Sequence, residues 1–439
     1  MKKKVISVVL SLILVLSLTG AAFAESGRTK ITIWHMLSGV GAEAFDQIVA
    51  DFNASQDKYE AVAEFQGNWY DNFAKFKATP KEDLPDLYQI VVECMGWLAE
   101  SDRIIPVQKY IDRDNFDISS MQENIRNLYT LNDTLYCMPL SVTMLALNYN
   151  TEVLEAAGID PATLKTVADV DAAAKKIVDA GLCKKGFSLI NDSWQIEEYI
   201  TQAGLELVDN GNGRAGRATK CLLGEDPNGL KIFETFHDYL TRDYNMAPTT
   251  GLSTDDIGKA FFQGDLAMVI FSSQWIARQR AAIGDAFTLG QVAAPSVDAE
   301  PAGTFAPGGN SMYIVDKGNE ELSEGAWEFL KYMWQPEVMG FYAAYSDYCP
   351  VSEAAYNSET YKAHREKYPY VENVWQALVD CSPESDAAVF GVYYEFRNTV
   401  QNAFARMMID GSYTPADAVE EIVSVTNDNL ELYNEANPL

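Results

Sequence analysis

Residues 31–53, ITIWHMLSGVGAEAFDQIVADFN, contain the pattern that decides the fold class. Ile31 to Trp34 is a short β-type run, and a polar turn with glycines follows it. Four apolar residues then recur at i, i+3, i+4 and i+7, the spacing of one helical face: Phe45, Ile48, Val49 and Phe52. A strand, a glycine turn and an amphipathic helix in this order predict the start of an α/β domain.

The residues before this stretch predict an exported protein. Lys2 to Lys4 are basic, Val5 to Leu18 are apolar, and Ala22-Phe23-Ala24 has small residues at a cleavage position. The apolar run is short for a membrane span, so we expect residues 1–24 to be a signal peptide cleaved after Ala24, not a membrane anchor. No cysteine stands near that point to take a lipid anchor, and the expected location is periplasmic or extracellular.

Length and charge narrow the class of protein further. The chain has 439 residues, which is enough for two lobes and too many for one compact core. Removal of the signal peptide takes away three lysines and no acidic residue, so the formal charge goes from −30 to −33. This charge argues against nucleic acid or an anionic membrane surface as a partner, and we expect a monomer.

Six cysteines form no CxxC pair and stand far apart in the sequence. An even number in an exported chain allows disulfides, whereas a chain of this length does not need them for stability. Because Cys94, Cys137 and Cys349 have apolar or aromatic neighbours, the sequence favours buried free thiols.

Beyond the opening stretch, short β-type runs alternate with amphipathic helices. Asp86 to Val92 is almost continuously apolar, as buried parallel strands are, and Leu266 to Phe271 follows a helix. The alternation predicts parallel sheets. No change in composition separates two halves, so we expect the chain to cross between its lobes more than once.

Catalytic and metal-binding motifs are absent from the sequence. The three histidines, His35, His237 and His364, match no zinc spacing, and no phosphate loop, dinucleotide fingerprint or nucleophile elbow is present. The segment 209–213, DNGNG, lacks the downstream acidic ligand of a calcium loop and predicts a glycine-rich turn. We therefore predict a protein that is not an enzyme and that has no cofactor and no metal.

A series of motifs in serial order resembles the extracellular solute-binding proteins of ABC importers, of the larger sugar- and glycerol-3-phosphate-binding type. The motifs begin with ITIWH and end with YYEFRNTVQNAF, and between them stand QGNWYDNF, DLYQIVVE, MPLSVTMLALNYN, AFFQGDLAMVIFSSQW, FAPGGNSMYIV and YCPVSEAAY. They cover most of the mature chain. The resemblance implies two α/β lobes joined by several hinge crossings, with a ligand cleft between the lobes.

The resemblance also implies lobe boundaries. The N-terminal lobe is expected to take residues 25–140 and 310–347, and the C-terminal lobe residues 141–309 and 348–439. The crossings correspond to the MPLSVTMLALNYN, FAPGGNSMYIV and SDYCPVSEA segments. Lobes of this type close around a ligand by bending at the hinge.

Twelve ligand-binding residues carry over by position from the sugar and glycerol-3-phosphate binders. Aromatic rings offer stacking surfaces, Arg397 matches the arginine that meets phosphate, and the others supply hydroxyl, carboxylate or backbone amide groups. They are Trp69, Tyr70, Glu93, Ser141, Thr143, Ser272, Ser273, Trp275, Gly308, Gly309, Tyr348 and Arg397.

Each assignment has a plainer alternative. Trp69 and Trp275 are as easily core aromatics, and Arg397 as easily forms a structural salt bridge. Glu93 favours function, because a lone carboxylate at the end of an apolar strand is costly to bury. Gly308-Gly309 is a turn whether or not it binds ligand.

The predicted function is capture of a mono- or oligosaccharide in the interlobe cleft and delivery to the permease subunits of an ABC importer. The net charge favours a neutral sugar over the alternative, sn-glycerol-3-phosphate or a glycerophosphodiester. A secreted glycosidase and a protein that presents ligand to a membrane sensor remain open, because 63 acidic residues supply carboxylate pairs and the same fold serves sensors.

Overall fold

The computed structural model describes residues 27–438, which contain twelve strands and twenty helices. The strands are β1 (Thr29–His35), β2 (Tyr59–Phe65), β3 (Leu87–Val91), β4 (Ile104–Ile105), β5 (Thr130–Leu131), β6 (Thr134–Leu135), β7 (Met138–Thr143), β8 (Leu145–Asn150), β9 (Lys185–Leu189), β10 (Leu266–Ser272), β11 (Leu289–Ala293) and β12 (Gly308–Val315).

The α-helices vary from one turn to six turns. They are α1 (Val40–Ser55), α2 (Trp69–Ala78), α3 (Met95–Glu100), α4 (Gln108–Asp114), α5 (Glu123–Leu128), α6 (Thr151–Ala156), α7 (Val167–Asp179), α8 (Ser193–Gln202), α9 (Asp209–Asn212), α10 (Pro227–Leu240), α11 (Asp256–Phe262), α12 (Ser273–Ala277), α13 (Arg280–Ile283), α14 (Glu320–Met333), α15 (Pro336–Ser346), α16 (Glu353–Tyr356), α17 (Glu359–Lys367), α18 (Val371–Val379), α19 (Tyr393–Ile409) and α20 (Pro415–Ala436). Short 3-10 helices lie at Lys81–Asp83, Val92–Cys94 and Pro161–Thr163.

The opening stretch forms the strand and helix that its pattern predicts. Ile31 and Ile33 of β1 are fully buried, and the apolar face of α1 packs onto the core through the four residues of the i, i+3, i+4, i+7 series. Phe45 and Phe52 of that face meet the ring of Phe329 on α14 edge-on. The local pattern is satisfied in the tertiary structure, so this prediction is confirmed.

Two sheets organise the described part of the chain. The first has the order β2-β1-β3-β12-β4, with β7 also paired to β12. The second has the order β11-β8-β10-β9. A small hairpin of β5 and β6 turns at Asn132 and Asp133, both of which have the positive φ that such two-residue turns need.

The prediction of parallel sheets is wrong for part of each sheet. β1 pairs in parallel with β2 and β3, and β9 pairs in parallel with β10, as helical crossovers require. β12 is antiparallel to β3, β4 and β7, and β8 is antiparallel to β10 and β11. These antiparallel strands stand where the chain passes between the sheets without an intervening helix.

Three chain segments connect the two sheets. β7 of the first sheet and β8 of the second are separated only by Met144. β12 brings the chain back to the first sheet, and Cys349 then exchanges backbone hydrogen bonds with Val142 of β7. The first sheet thus draws strands from residues 29–143 and 308–315, and the second from residues 145–293. The lobe boundaries given above stay a prediction.

All six cysteines are free in the structure, and five of them are buried. This agrees with the preferred interpretation of the sequence.

The DNGNG segment contains left-handed residues at Asn210 and Gly211, as a turn does, although it is assigned as one helical turn. Within residues 27–438, the helices are too short or too polar to cross a membrane. The predicted signal peptide, residues 1–24, lies outside the described residues.

Candidate functional site

A cavity of about 520 Å³ opens between the two sheets and brings most of the predicted site together. Ser141 and Ser273 do not line it. The predicted residues that do are Trp69, Tyr70, Glu93, Thr143, Ser272, Trp275, Gly308, Gly309, Tyr348 and Arg397. They come from loops and element ends of both sheets, as expected for a crevice at the carboxyl ends of strands.

A larger surface groove of about 670 Å³ lies between α10 and α20. It contains none of the predicted site residues and no aromatic side chain, and its single cation, Lys220, is already paired with Glu225. A groove without an aromatic platform or an unpaired cation is poorly suited to a sugar or a phosphate. We therefore take the interlobe cavity as the candidate site.

One wall of the cavity is an aromatic platform at the start of α2. Asn68 caps this helix by accepting a hydrogen bond from the Asp71 backbone N–H at 3.0 Å, which fixes the entry of the chain. The rings of Trp69 and Tyr70 then lie 3.9 Å apart at 32°. Tyr394 of α19 meets both rings edge-on, so a helix that packs on the other side of the cavity supports the platform.

Arg397 of α19 lies next to this platform and is nearly fully buried. Its Nη2 donates to Asp192 Oδ2 at 2.5 Å, and its guanidinium carbon lies 4.9 Å from the centre of the Trp69 ring. Burial by itself lowers the pKa of Arg397, but Asp192 together with Tyr393, Tyr70 and Glu93 outweighs this, so the guanidinium stays charged. Arg397 therefore forms a salt bridge and also contacts the aromatic platform.

Glu93 also lines the cavity; it lies in the 3-10 turn that follows β3 and is 7% exposed. Its Oε2 has no hydrogen-bond partner in the described residues. Burial raises the pKa of the Glu93 carboxyl to about 7, although Arg397 acts in the opposite direction. Near neutral pH this carboxyl therefore exists in both forms, and it can donate to a ligand oxygen as well as accept from a hydroxyl.

Three hydroxyls meet where β7 and β10 end. Thr143 Oγ1 lies 2.8 Å from Ser272 Oγ and 3.0 Å from Ser273 Oγ. Thr143 and Ser272 line the cavity, and Ser273 stands behind them. Ser141 Oγ is buried on β7 without a hydrogen bond in the described chain, and Ser141 does not line the cavity. The roles of Ser141 and Ser273 in ligand contact stay predictions.

A series of hydrogen bonds fixes Tyr348, which lies in the third crossing between the sheets. The Met36 N–H donates to Gln89 Oε1 at 2.9 Å, and Gln89 Nε2 donates to Asn310 Oδ1 at 2.9 Å. Asn310 Nδ2 then donates to the Tyr348 hydroxyl at 2.8 Å. The loop directly after β1 lines the cavity, beginning at Met36. Trp34 and His35 do not line it, and the His35 ring is buried against Phe45.

The second sheet contributes residues that the sequence did not single out. Trp194 lies against Gly308, where an added Cβ would stand only 2.7 Å from a Trp194 ring carbon. Arg278 lines the cavity after α12 and forms no ion pair with any described residue. Asp192 and Trp194 belong to the short motif Asn191-Asp192-Ser193-Trp194, whose only sequence signal is that of a helix N-cap.

The comparison with known families decides the class of the protein. The family model described as "Bacterial extracellular solute-binding protein" matches residues 47–369, well over half of the chain. The chain belongs to the bacterial extracellular solute-binding proteins. This confirms the prediction of a solute-binding protein of the ABC importer type, a family of binding proteins and not of enzymes.

Individual relatives agree with this assignment. The sn-glycerol-3-phosphate-binding periplasmic protein UgpB of Rhizobium meliloti is 25% identical over 416 residues, which cover 93% of this chain and 95% of that protein. The cyclic α-maltosyl-1,6-maltose binding protein of Arthrobacter globiformis superposes with a TM-score of 0.74 at 18% identity, over 92% of this chain and all of that one.

A third comparison is with UgpB of Mycobacterium tuberculosis, whose structure was solved in complex with glycerophosphocholine. It gives a TM-score of 0.74 at 16% identity over 94% of this chain and 100% of that chain. At these identities the structural likeness establishes the fold alone. The predicted fold class, a two-lobed α/β protein of the periplasmic-binding type, is confirmed.

Proposed function

We propose that this solute-binding protein captures a neutral mono- or oligosaccharide in the interlobe cavity and delivers it, unchanged, to an ABC permease. The observation that carries the proposal is the pairing of Arg397 with Asp192 at 2.5 Å inside an aromatic-lined cavity. The guanidinium that would meet a phosphate is already engaged by a carboxylate. What remains for a ligand is a set of rings, hydroxyls and amides together with Glu93 and Arg278.

The cavity walls match the two sides of a sugar. Trp69, Trp194 and Trp275 offer flat apolar surfaces for the C–H faces of a pyranose. Glu93 and Ser272 offer acceptors and donors for its hydroxyls. Closure of the predicted lobes, residues 25–140 with 310–347 and residues 141–309 with 348–439, would then surround the ligand from both sides.

A second candidate ligand, sn-glycerol-3-phosphate or a glycerophosphodiester, is favoured by one further observation. Arg278 lines the cavity as a cation without an ion-pair partner in the described chain. It could meet a phosphate that Arg397 does not. The names of the R. meliloti and M. tuberculosis relatives refer to ligands of this kind.

Calorimetric titration of the mature protein with a panel of mono- and oligosaccharides and with sn-glycerol-3-phosphate separates the two candidates. We expect binding of at least one sugar, weakened by Trp69→Ala by about tenfold or more because the platform is lost. Tight binding of sn-glycerol-3-phosphate, lost in Arg278→Ala, would replace the sugar proposal with the second candidate.

Export and the absence of catalysis complete the proposal. Residues 1–24 act as a signal peptide cleaved after Ala24, and the mature protein has no lipid-anchoring cysteine. Mass determination of the protein recovered from outside the cytoplasmic membrane tests the cleavage. Hydrolysis of chromogenic glycosides by the purified protein would favour the glycosidase alternative instead, and a neighbouring sensor kinase gene would favour the ligand-presenting one.

A further inference from the structure

Asp192 has two structural roles, as a helix cap and as the partner of Arg397. It is 7% exposed and lines the cavity directly before α8. Its Oδ1 accepts the Trp194 backbone N–H at 3.1 Å and so caps the helix, while Oδ2 accepts the hydrogen bond from Arg397. A helix cap needs an acceptor but no charge, because asparagine and serine cap as well as aspartate does. Helix capping therefore does not explain why the residue at this position is negatively charged.

That charge cancels the cation on the same wall of the cavity. Arg397 has no other ion-pair partner among the described residues, and its Nε, also buried, has no hydrogen-bond partner there. A solute hydroxyl that approaches the pair meets no net charge. A solute phosphate that approaches Arg397 also approaches the Asp192 carboxylate, which is hydrogen-bonded to the same guanidinium.

We propose that Asp192 is the residue that determines how Arg397 responds to the charge of a solute, by holding the guanidinium in a neutral pair and so withholding it from anionic solutes. This inference rests on the proposed function, capture of a neutral carbohydrate. Its physical basis is that like charges in a cavity poorly exposed to water repel far more strongly than they do in solvent. Weak binding of a phosphate at Arg397 therefore requires no steric barrier.

Asp192→Asn tests the inference, because asparagine keeps the size and the capping acceptor and removes only the charge. The probe is sn-glycerol-3-phosphate, titrated calorimetrically into the mature full-length protein. We expect its affinity to rise by about tenfold or more relative to wild type, as a freed guanidinium can bind an anion in a charge-assisted pair. Arg397→Met added to Asp192→Asn should abolish the gain. An unchanged affinity in Asp192→Asn would overturn the inference.

Asp171→Asn is the matched control. Asp171 is a buried carboxylate that pairs with an arginine, Arg242, but it does not line the cavity. Its neutralisation should leave the affinity for sn-glycerol-3-phosphate at the wild-type value, and an equal gain in this variant would show a general charge effect and contradict the role of Asp192. Asp192→Ser serves as the second charge-removing variant if Asp192→Asn is poorly folded.

A second measurement separates specificity from mere positioning. Burial is the main cause of the raised pKa of Glu93, and the Asp192 carboxylate raises it further. In Asp192→Asn the pH dependence of ligand binding should therefore shift to lower pH, which a purely structural role would not cause. The ratio of variant to wild-type affinity tests Asp192, and the wild-type affinities across the sugar panel test the proposed function, so the two failures are distinguishable.

Discussion

Glu93 shows how burial and charge together set the chemistry of a single side chain. Glu93 lies in the 3-10 turn that follows β3, and this turn directs its side chain into the cavity and not into the core. Desolvation disfavours its ionised form, and the nearby guanidinium of Arg397 only partly compensates. The result is a carboxyl that changes its charge near neutral pH in the candidate ligand site.

This predicts a stability effect with a definite sign. The folded-state pKa of Glu93, about 7, lies above its ordinary value of 4.5, so the folded protein prefers the protonated form. The stabilising contribution of Glu93 to the folded state is present below about pH 4.5 and is lost as the pH rises through about 7. We expect Glu93→Gln to gain stability relative to wild type over this range, on the order of 3 kcal/mol in total, in thermal or urea unfolding.

The control is Glu82→Gln at an exposed position, which removes one charge without affecting the cavity. A relative gain by the wild type with rising pH would contradict the prediction. It would mean that Arg397 holds the Glu93 carboxylate ionised in the folded protein.

At the scale of elements, β12 connects the cavity with the first sheet. Its first residue, Gly308, lies under the Trp194 ring, and its second, Gly309, lies against the backbone of β7. An added Cβ would stand 2.7 Å from the Trp194 ring at the first position and 2.2 Å from the Ser141 carbonyl oxygen at the second. A side chain can move aside, whereas a paired strand cannot do so without breaking the sheet.

The two substitutions should therefore differ in kind. Gly308→Ala is expected to displace Trp194 and weaken ligand binding by about tenfold, with a loss of about 1–3 kcal/mol in stability from overpacking. Gly309→Ala should cost more stability, because β7 and β12 must separate. Ligand titration and thermal unfolding measure the two effects.

Gly411→Ala is the matched control, since an added Cβ there meets nothing within 4 Å and the backbone does not need glycine. It should change neither affinity nor stability appreciably. Equal losses of affinity in Gly308→Ala and Gly309→Ala, without a difference in stability, would refute the distinction between side-chain and backbone obstacles.

At the scale of the molecule, the cavity takes its walls from both sheets. A ligand held there binds the folded state only, and it stabilises that state by mass action. With free ligand about 100-fold above Kd, the free energy of unfolding should rise by about 2.7 kcal/mol. Urea unfolding followed by tryptophan fluorescence measures this, and any separate transitions of the two lobes should both shift to higher urea.

Trp69→Ala at the same ligand concentration should show a smaller shift, because its affinity is lower. A shift confined to one of two resolved transitions would contradict a cavity closed by both lobes. It would indicate a ligand bound to one lobe alone.

Local pattern determined much of this structure from the sequence. The period of Phe45 to Phe52 placed α1 on the core, and serial motifs placed Trp69, Glu93 and Arg397 near a common cleft. Such features depend on residues close in the chain or on a family order. The antiparallel direction of β12 was not predictable in this way, because it depends on where the chain returns to the first sheet.

Only the tertiary structure decided the electrostatics of the cavity. In sequence, Asp192 is a helix cap and Arg397 stands 205 residues further on, so no local pattern relates them. Folding brings them within 2.5 Å and buries Glu93 near the pair. Sequence determines which elements form, because hydrophobic periodicity and capping are local. The charges that meet across a cleft are determined by long-range packing, and here they bear on which solutes can bind.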